Sequence, residues 1–242
     1  MDPKVLFWDI ETKPVRFWAW RTGKQYLGHE QIVAGERFDI ICICYKWAHE
    51  SKVHELSWNI KTQDSTSMIN AFTKIIESAD IAVAHNGDSF DMRQVNTQRL
   101  LKNLAPIDWP VSDDTLKAFR KHFYLPSYKL DYIASLLEGV GKDRMGFQDW
   151  IDIVEKKDPA ALRKMIKYCK KDVLLLDSIY KKAKRFFKPK IHVGILNGLA
   201  KTTCPSCGSS RSCSKGVMIG TTFKSQRRTC KDCGRTYKGA RL

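Results

Sequence analysis

The sequence predicts an α/β protein in which helices flank a mixed β-sheet, followed by a small basic module rich in cysteine. Three observations support this. Strand-like segments come first and then alternate with helical ones, which is typical of a mixed sheet with helices on its faces. Four cysteines after residue 200 form two Cys-x-x-Cys pairs, and residues 181–242, which include them, carry nearly all of the net positive charge.

Apolar patterns predict the strands and helices of the body. The expected strands are residues 5–10, 40–47, 53–58 and 81–84, the third being the hairpin partner of the second. Helical spacing predicts helices over residues 67–77, 91–104, 115–123 and 129–138. A long helix is expected to begin at Pro159, with Asp158 as its N-cap, and to run towards Phe187.

These elements divide the chain into three regions. Residues 1–188 form the predicted body, and Lys188-Pro189 ends its last helix. Residues 189–200 contain two glycines and are interpreted as a linker, and residues 201–242 form the cysteine-rich module.

The charge is concentrated at the end of the chain. The formal net charge is +16, and residues 181–242 contain 16 Lys and Arg against one acid, Asp232. Residues 1–180 are therefore nearly neutral. A strongly basic end predicts a polyanionic partner; the alternative is a basic tail that keeps the protein soluble.

Composition excludes several classes. With 43% hydrophobic residues the chain is not mainly disordered. No run approaches the roughly 18 apolar residues that a membrane span requires, so no membrane partner is expected. The first residues lack a signal-peptide layout, which predicts a cytoplasmic, reducing location. Eight cysteines there indicate metal ligands or buried thiols rather than disulfides.

The first candidate site residues are Asp9 and Glu11, at the end of the first strand. Residues two apart on a strand share a face, so both carboxylates project together. Two like charges so close are unfavourable unless a cation lies between them. The alternative is a solvated strand end.

Two further segments add acids. Residues 85–91 follow a buried strand, at a junction where sheets present site residues; there Asp91 lies in the first helical turn. In the long helix, Tyr168 and Asp172 are four apart and share a face, although such a pair alone is more often structural. Together the segments supply four carboxylates, which suit Mg²⁺ or Mn²⁺.

The terminal module has the spacing of a zinc ribbon. Cys204 and Cys207 are separated by 22 residues from Cys230 and Cys233, and four thiolates make a closed structural Zn²⁺ site. A redox role for the two pairs is the alternative. Arg227 and Arg228, with nearby aromatic residues, are candidate phosphate contacts. Binding of a replication or repair protein is the other role considered for the ribbon.

Three motifs, in order, resemble those of the DnaQ-like 3′→5′ exonucleases. They are Asp9-x-Glu11-Thr12, Asn86-x-x-x-Phe90-Asp91 and Tyr168-x-x-x-Asp172. The tyrosine of the third motif is typical of the DEDDy branch, and the second motif also resembles the exonuclease domain of family B DNA polymerases. Stand-alone bacterial and phage members that end in a zinc ribbon are similar as well.

The resemblance implies a ribonuclease-H-like mixed sheet and two-metal hydrolysis of phosphodiesters by two Mg²⁺ or Mn²⁺ ions. Asp9 would bridge both ions, and Glu11 and Asp172 would complete the ion that binds the attacking water. Asp91 would hold the second ion. Tyr168 would orient the water.

Other residues are weaker candidates for substrate contact. Thr12 and Asn86 match family positions near the terminal nucleotide, whereas Phe90 is interpreted as a core anchor rather than a base-stacking residue. Lys142 and Arg144 lie in a glycine-containing loop and either touch phosphates or are simply solvated.

Two groups of residues outside the motifs carry separate predictions. Residues 12–39 are rich in aromatics, and Trp18 or Trp20 could stack on bases; a hydrophobic hairpin packed on the body is the favoured alternative. Cys42 and Cys44 share a strand face and are interpreted as core. The side chain of Cys169 is expected to point away from Tyr168.

The function expected from these observations is a metal-dependent 3′→5′ exonuclease that releases 5′-monophosphates from single-stranded or 3′-ended nucleic acid. DNA is favoured over RNA through the polymerase resemblance. The alternatives are an inactive nuclease core that serves as a nucleic-acid-binding scaffold, and an RNase H-like transposase or resolvase.

Overall fold

The body is built on a five-stranded sheet with the order β3-β2-β1-β4-β5. The computed structural model describes residues 2–139 and 145–242. The strands are β1 (Val5–Thr12), β2 (Ile40–Trp47), β3 (His54–Ser57), β4 (Ile81–Ala84) and β5 (Val111–Asp114). Strands β1, β2 and β3 pair antiparallel, whereas β4 is parallel to both β1 and β5.

Helices lie on both sides of this sheet. They are α1 (Thr66–Ile76), α2 (Asp91–Leu101), α3 (Thr115–His122), α4 (Leu130–Glu138), α5 (Phe147–Val154) and α6 (Pro159–Ala183). A further short helix, α7 (Val193–Leu196), follows beyond the body. Successive side chains of β1 point to opposite faces of the sheet and pack in two separate cores. Trp8 packs in the core that contains α1, and Phe7 packs in the core that contains α6. The period of two along β1 therefore decides which residues face α6.

The predicted α/β class is confirmed. The expected strands and helices occur with boundary shifts of a few residues, and Asp158 caps α6 by accepting a hydrogen bond from the Ala160 amide at 2.8 Å. Helix α6 ends at Ala183 rather than near Phe187. Strand β5 and helix α5 were not predicted, because β5 has only four residues and ends in two aspartates.

The segment between β1 and β2, residues 13–39, is here called the aromatic arm. Its expected packing on the body is wrong for its tip: Trp18 is 74% exposed, and Trp20 and Tyr26 are fully exposed. The backbone of the arm does pair with itself: the Trp18 amide donates to Gln31 O at 2.8 Å. Local pairing therefore shapes the arm without burying its rings.

The C-terminal module is a separate three-stranded antiparallel sheet. Its strands are β6 (Ser212–Ile219), β7 (Lys224–Cys230) and β8 (Thr236–Arg241), in that order. The predicted linker contains α7, whose first amide, that of Val193, donates to Pro205 O at 2.9 Å. Arg235 donates to the carbonyls of Arg185 and Phe187, just beyond α6, at 2.9 and 2.6 Å. The boundaries 1–188, 189–200 and 201–242 remain predictions.

Within residues 2–139 and 145–242, no helix has both the length and the apolar character needed to cross a membrane.

A buried ion pair ties the sheet to α6. Lys46 Nζ lies 2.7 Å from Asp177 Oδ2, and the two side chains are 4% and 8% exposed. We predict that Asp177→Ala lowers the free energy of unfolding by about 3–5 kcal/mol, because Lys46 would keep a buried charge without its carboxylate. Urea unfolding followed by circular dichroism measures this change.

Asp152 provides the control for this prediction. It pairs with Lys156 at 2.8 Å on the solvated side of α5, where Lys156 is 67% exposed. Asp152→Ala should cost less than about 1 kcal/mol. If the two variants lost the same free energy of unfolding, burial of the Lys46–Asp177 pair would not determine how much that pair stabilises the fold.

Candidate active site

The site begins with two carboxylates on one face of β1. Asp9 and Glu11 lie opposite Cys44 and Cys42 of β2 in the antiparallel register. Phe7, two residues before Asp9, belongs to the core beneath α6. Asp9 and Glu11 therefore project towards α6 from the open end of that core, and both are half-buried.

Helix α6 brings Cys169 against this pair. Its Sγ lies 3.6 Å from the Asp9 carbonyl oxygen and 3.7 Å from Asp9 Oδ2. Ligand atoms of Asp9, Glu11 and Cys169 all lie within 4.8 Å of one another. This contact between Cys169 and Asp9 was not predicted. Cys169 and Asp172 are three residues apart and share a helix face, so the spacing placed Cys169 on the side of α6 that bears Asp172, but not against Asp9.

Tyr168 and Asp172 complete the part of the site that α6 contributes. Asp172 is buried, with 5% of its surface exposed, and Tyr168 is half-buried. Their separation of four residues places both on one helix face. Among the described residues, the 4.8 Å group at β1 includes neither Asp172 nor Asp91. Asp91 and Asp172 thus lie outside that group, and Asp172 is placed by its position on α6, three residues after Cys169.

Asp91 approaches the pair from α2. Its carboxylate accepts hydrogen bonds from its own amide and from the amide of Ile10, the residue between Asp9 and Glu11. Burial raises the pKa of Asp91 to about 7, because the charged form loses its hydration, and the two amides only partly offset this. Asp91 is thus the most strongly desolvated of the four acids.

The turn before α2 is held in place by Asp114. Asp114 Oδ1 accepts from the Asn86 amide at 3.0 Å, and the same side chain caps α3 through the Lys117 amide. Asn86 has φ of +71°, which asparagine tolerates better than most residues. A Cβ at Gly87 would lie 2.5 Å from Ala84 Cβ, so only glycine fits. The role of Asp114 in the site was missed, although its N-cap position is readable from the sequence.

The predicted substrate contacts lie in different environments. Thr12 O accepts from Trp150 Nε1 at 3.0 Å, and Asn86 lines an open cavity of about 570 Å³. Phe90 is 41% exposed, so its interpretation as a core anchor is wrong: it occupies the N-cap position of α2 on the outside of the turn. Lys142 and Arg144 lie outside the described residues.

The donor set fits hard divalent cations. Asp9, Glu11, Asp91 and Asp172 offer carboxylate oxygens, the ligands that Mg²⁺ and Mn²⁺ prefer. The nearness of Asp9 to Glu11 and the desolvation of Asp91 both disfavour ionised carboxylates without a cation. Such a cation would relieve both penalties.

The four cysteines of the terminal module also come together. All four Sγ atoms lie within 4.8 Å of one another, with Cys204 and Cys233 3.5 Å apart and Cys207 and Cys230 3.6 Å apart. Tetrahedral Zn²⁺ with bonds of about 2.3 Å requires sulfur separations of about 3.8 Å. The cluster is therefore compatible with one structural Zn²⁺.

The two arginines predicted to contact phosphate differ sharply. Arg227 is exposed on β7. Arg228 packs across Gly239 and donates from Nε to Ser212 Oγ at 2.8 Å and from Nη1 to Gln226 Oε1 at 3.1 Å. The guanidinium of Arg228 is therefore engaged within the ribbon, whereas that of Arg227 faces solvent.

The raised pKa of Asp91 predicts a pH dependence of stability. An unfolded aspartate has a pKa near 3.9, so the folded chain retains a proton that the unfolded chain has lost between about pH 4 and 7. Stability should fall as pH rises through this range. Without added Mg²⁺, Asp91→Asn should be up to about 4 kcal/mol more stable than the unaltered protein at pH 8, and equally stable near pH 4. Urea unfolding at both pH values measures the difference.

Asp88→Asn is the matched control in the same turn. Burial raises the pKa of Asp88, but hydrogen bonds from Lys117 and Ser112 outweigh it and lower the pKa overall. Removing this carboxylate should therefore reduce stability at pH 8, with the opposite sign to Asp91→Asn. A gain in both variants would indicate a general effect of lower negative charge.

Comparisons with known proteins agree with this architecture. Among solved structures, the family B DNA polymerase from the hyperthermophilic archaeon Pyrobaculum calidifontis matches with a TM-score of 0.58 and 14% sequence identity. The match covers 76% of this chain and 25% of the polymerase chain, so this chain spans about a quarter of the polymerase's length. Such a likeness supports the fold alone. Comparison with curated protein sequences gives no match.

A family model covers most of the body. The model of the RNase H superfamily matches residues 29–184, from the aromatic arm to the end of α6. This range includes the strands β2 to β5 and the second and third motifs. The five-stranded mixed sheet with its flanking helices is the architecture expected of that family. The chain therefore belongs to the RNase H superfamily.

Proposed function

We propose that the chain is a metal-dependent 3′→5′ exonuclease that hydrolyses phosphodiester bonds of nucleic acid, with DNA favoured, and releases 5′-monophosphates. The observation that carries the proposal is the meeting of three chain segments at one face of β1. Asp9 and Glu11 lie on that face, Asp91 accepts from the Ile10 amide between them, and α6 covers it with the turn that bears Asp172.

Four carboxylates of this chain would hold the metal ions: those of Asp9, Glu11, Asp91 and Asp172. Two Mg²⁺ or Mn²⁺ ions bound there would polarise the scissile phosphate and lower the pKa of the attacking water. The protein's own part is to fix these oxygens. The Ile10 amide orients Asp91, and the Cys169 thiol, close to both the carbonyl and the carboxylate of Asp9, limits its movement.

The phenol of Tyr168 is proposed to orient the attacking water. Two features support this role: Tyr168 shares a face of α6 with Asp172, and it is only half-buried, as a group that positions a water must be. At the other side of the site, Thr12 and Asn86 are proposed to contact the terminal nucleotide. The ring of Phe90 is exposed next to Asp91 in sequence, so it is better suited to stack on a base than to anchor the core.

Substitution of the acids tests the site. Asp9→Ala and Asp172→Ala should abolish cleavage, because each removes a metal ligand, while nucleic-acid binding is retained. Tyr168→Phe should leave metal binding intact and lower the rate by roughly 10- to 1,000-fold, as expected for loss of a water-orienting group. Turnover is measured on labelled DNA and RNA with Mg²⁺ or Mn²⁺. Asp88→Asn, in the same turn as Asp91 but paired with Lys117, should keep activity close to that of the unaltered protein.

The size of the first products and the effect of blocking the 3′ end distinguish exonuclease from endonuclease action. Strands labelled at the 5′ end should shorten by single nucleotides, and a 3′-phosphate should block or slow the reaction. Oligonucleotide fragments as first products, or full turnover by Asp172→Ala, would contradict the proposal. Resolution of the products on DNA and RNA in parallel also decides which sugar is preferred.

The same assay tests the two alternatives. An inactive scaffold would bind strands without cleaving them under any divalent metal. A transposase or resolvase would cut circular single strands, which have no 3′ end. The complete set of four carboxylates favours an active enzyme over the scaffold, since each of them carries a desolvation or repulsion cost that a purely binding protein need not bear.

The ribbon is proposed to hold one structural Zn²⁺ and to bind the phosphate backbone. It contributes most of the excess positive charge, and its strands expose Arg227 and Lys224. A module of about forty residues has a small core, here Cys204, Cys230 and Tyr237, so metal would supply much of its folding free energy.

Arg227→Ala and Arg228→Ala should have different effects. Loss of the exposed Arg227 should reduce the slope of log affinity against log salt by about 0.7 for single-stranded DNA, because one phosphate contact is lost. Arg228→Ala should instead destabilise the ribbon, since its hydrogen bonds to Ser212 and Gln226 are internal. Cys230→Ser with Cys233→Ser should unfold the module and flatten the slope further. An unchanged slope in all three variants would favour a protein partner for the ribbon.

A further inference from the structure

The aromatic arm begins where the candidate active site ends. It leaves β1 directly after Thr12 and returns to β2 at Ile40, and Thr12 pairs with Ile40 across its base. The Lys13 amide donates to Asp39 O at 2.9 Å, and the Val33 amide donates to Arg16 O at 3.0 Å. The arm is thus a projection of two chain segments joined by a few hydrogen bonds, and its base is continuous with the strand that bears Asp9 and Glu11.

Ion pairs fix the base of the arm to the body. The Glu36 carboxylate, 6% exposed, accepts from Lys13 Nζ at 3.0 Å and from Arg16 Nη2 at 2.5 Å. Arg16 also pairs with Glu155, next to α5, at 3.2 Å. Gln98 of α2 donates to the carbonyl oxygen of Phe38 at 2.8 Å. The arm therefore projects from a defined position beside the site.

The tip of the arm exposes three large rings. Trp18 is 74% exposed, and Trp20 and Tyr26 are fully exposed. Isolated exposed apolar residues are common, but three large aromatic rings within nine residues of one projection are unfavourable in water and indicate an interaction surface. Since the base of the arm is anchored, these rings are held out from the body and do not fill a gap in its core.

The charges of the arm indicate that its partner is anionic. From Thr12 to His29 the sequence has no Asp or Glu, whereas it has four Lys and Arg residues. Two of these, Arg21 and Lys24, are exposed among the rings. Aromatic faces interleaved with cations are the means by which proteins hold single-stranded nucleic acid: bases stack on the rings and phosphates pair with the cations.

We propose that the aromatic arm is a stacking platform for single-stranded nucleic acid, with bases on Trp18, Trp20 and Tyr26 and phosphates near Arg21 and Lys24. Binding there depends only on the arm. The further step, that the platform guides a strand towards Asp9 and Glu11, rests on the proposed exonuclease function. Because the arm continues directly from β1, a strand stacked on its rings would follow the arm to its base to reach the candidate site.

The binding experiment uses the full chain carrying Asp9→Ala, so that the strand is not degraded. Fluorescence anisotropy with a labelled oligothymidine of about 20 nucleotides, longer than the roughly 4–16 nucleotides of a typical single-strand site, measures affinity. Adding Trp20→Ala and Tyr26→Ala together should weaken binding by about 10-fold or more, since base stacking contributes substantially per ring. Trp20→Phe should retain most of the affinity, because a flat ring remains.

Tyr124 supplies the matched control. It is a tyrosine as fully exposed as Tyr26, but it lies on the body after α3. Tyr124→Ala should leave the affinity unchanged, and neither Tyr→Ala change should alter thermal unfolding, because both side chains are in water. Unchanged affinity in the Trp20→Ala/Tyr26→Ala protein would overturn the platform. The platform would also be overturned if loss of Trp20 and Tyr26 weakened binding to lipid vesicles or self-association of the chain but left strand binding unchanged.

Activity measurements separate this proposal from the proposed function. With Asp9 intact, Trp20→Ala/Tyr26→Ala should raise the KM for long single strands by about 10-fold while leaving kcat nearly unchanged, because the reacting groups are untouched. If the unaltered protein binds strands through these rings yet cleaves none, the exonuclease proposal fails and the platform stands. If it cleaves with a KM that does not depend on the rings, the platform fails and the exonuclease proposal stands.

Discussion

The register of β1 is the constraint on which the rest of the site depends. Its alternation places Phe7, Asp9 and Glu11 towards α6 and Trp8 towards α1, so the buried face leads directly into the pair of acids. A slip of one residue would bury both carboxylates in the α1 core and expose apolar residues to α6. Antiparallel pairing with β2 on one side and parallel pairing with β4 on the other prevents that slip.

The parallel strand β4 places the second group of residues at the same edge. Phe7 pairs with Val83, so the chain leaves β4 beside Asp9 and turns into α2 there. Asp114, at the end of the next strand, holds that turn through its carboxylate. Asp91 can then lie against the Ile10 amide although it is buried, because hydrogen bonds from two amides offset part of its desolvation. Strand ends, turn and helix start thus converge at one point.

Two extensions of the body carry the residues that are proposed to bind nucleic acid, and they differ in chemistry. The ribbon contributes charge, and Arg235 attaches it to the carbonyls beyond α6. The aromatic arm contributes rings, and the buried carboxylate of Glu36 joins its two halves. Its contacts with the body are the Arg16–Glu155 ion pair and the hydrogen bond from Gln98 to the Phe38 carbonyl. In both extensions a few internal polar contacts hold the base, and the residues that would meet a strand remain in solvent.

The sequence by itself determined the order of the elements, the class of the fold and the residues of the three motifs, because periods of two and of 3.6 residues and the chemistry of caps are local properties of a chain. It also contained the spacing of the cysteine pairs. Only the tertiary structure decided that Cys169 touches Asp9, that Asp91 meets Ile10, and that Phe90 and the rings of the arm stay in solvent. Those outcomes depend on which distant segments pack together, and each is set by contacts between residues tens of positions apart, which a local pattern does not encode.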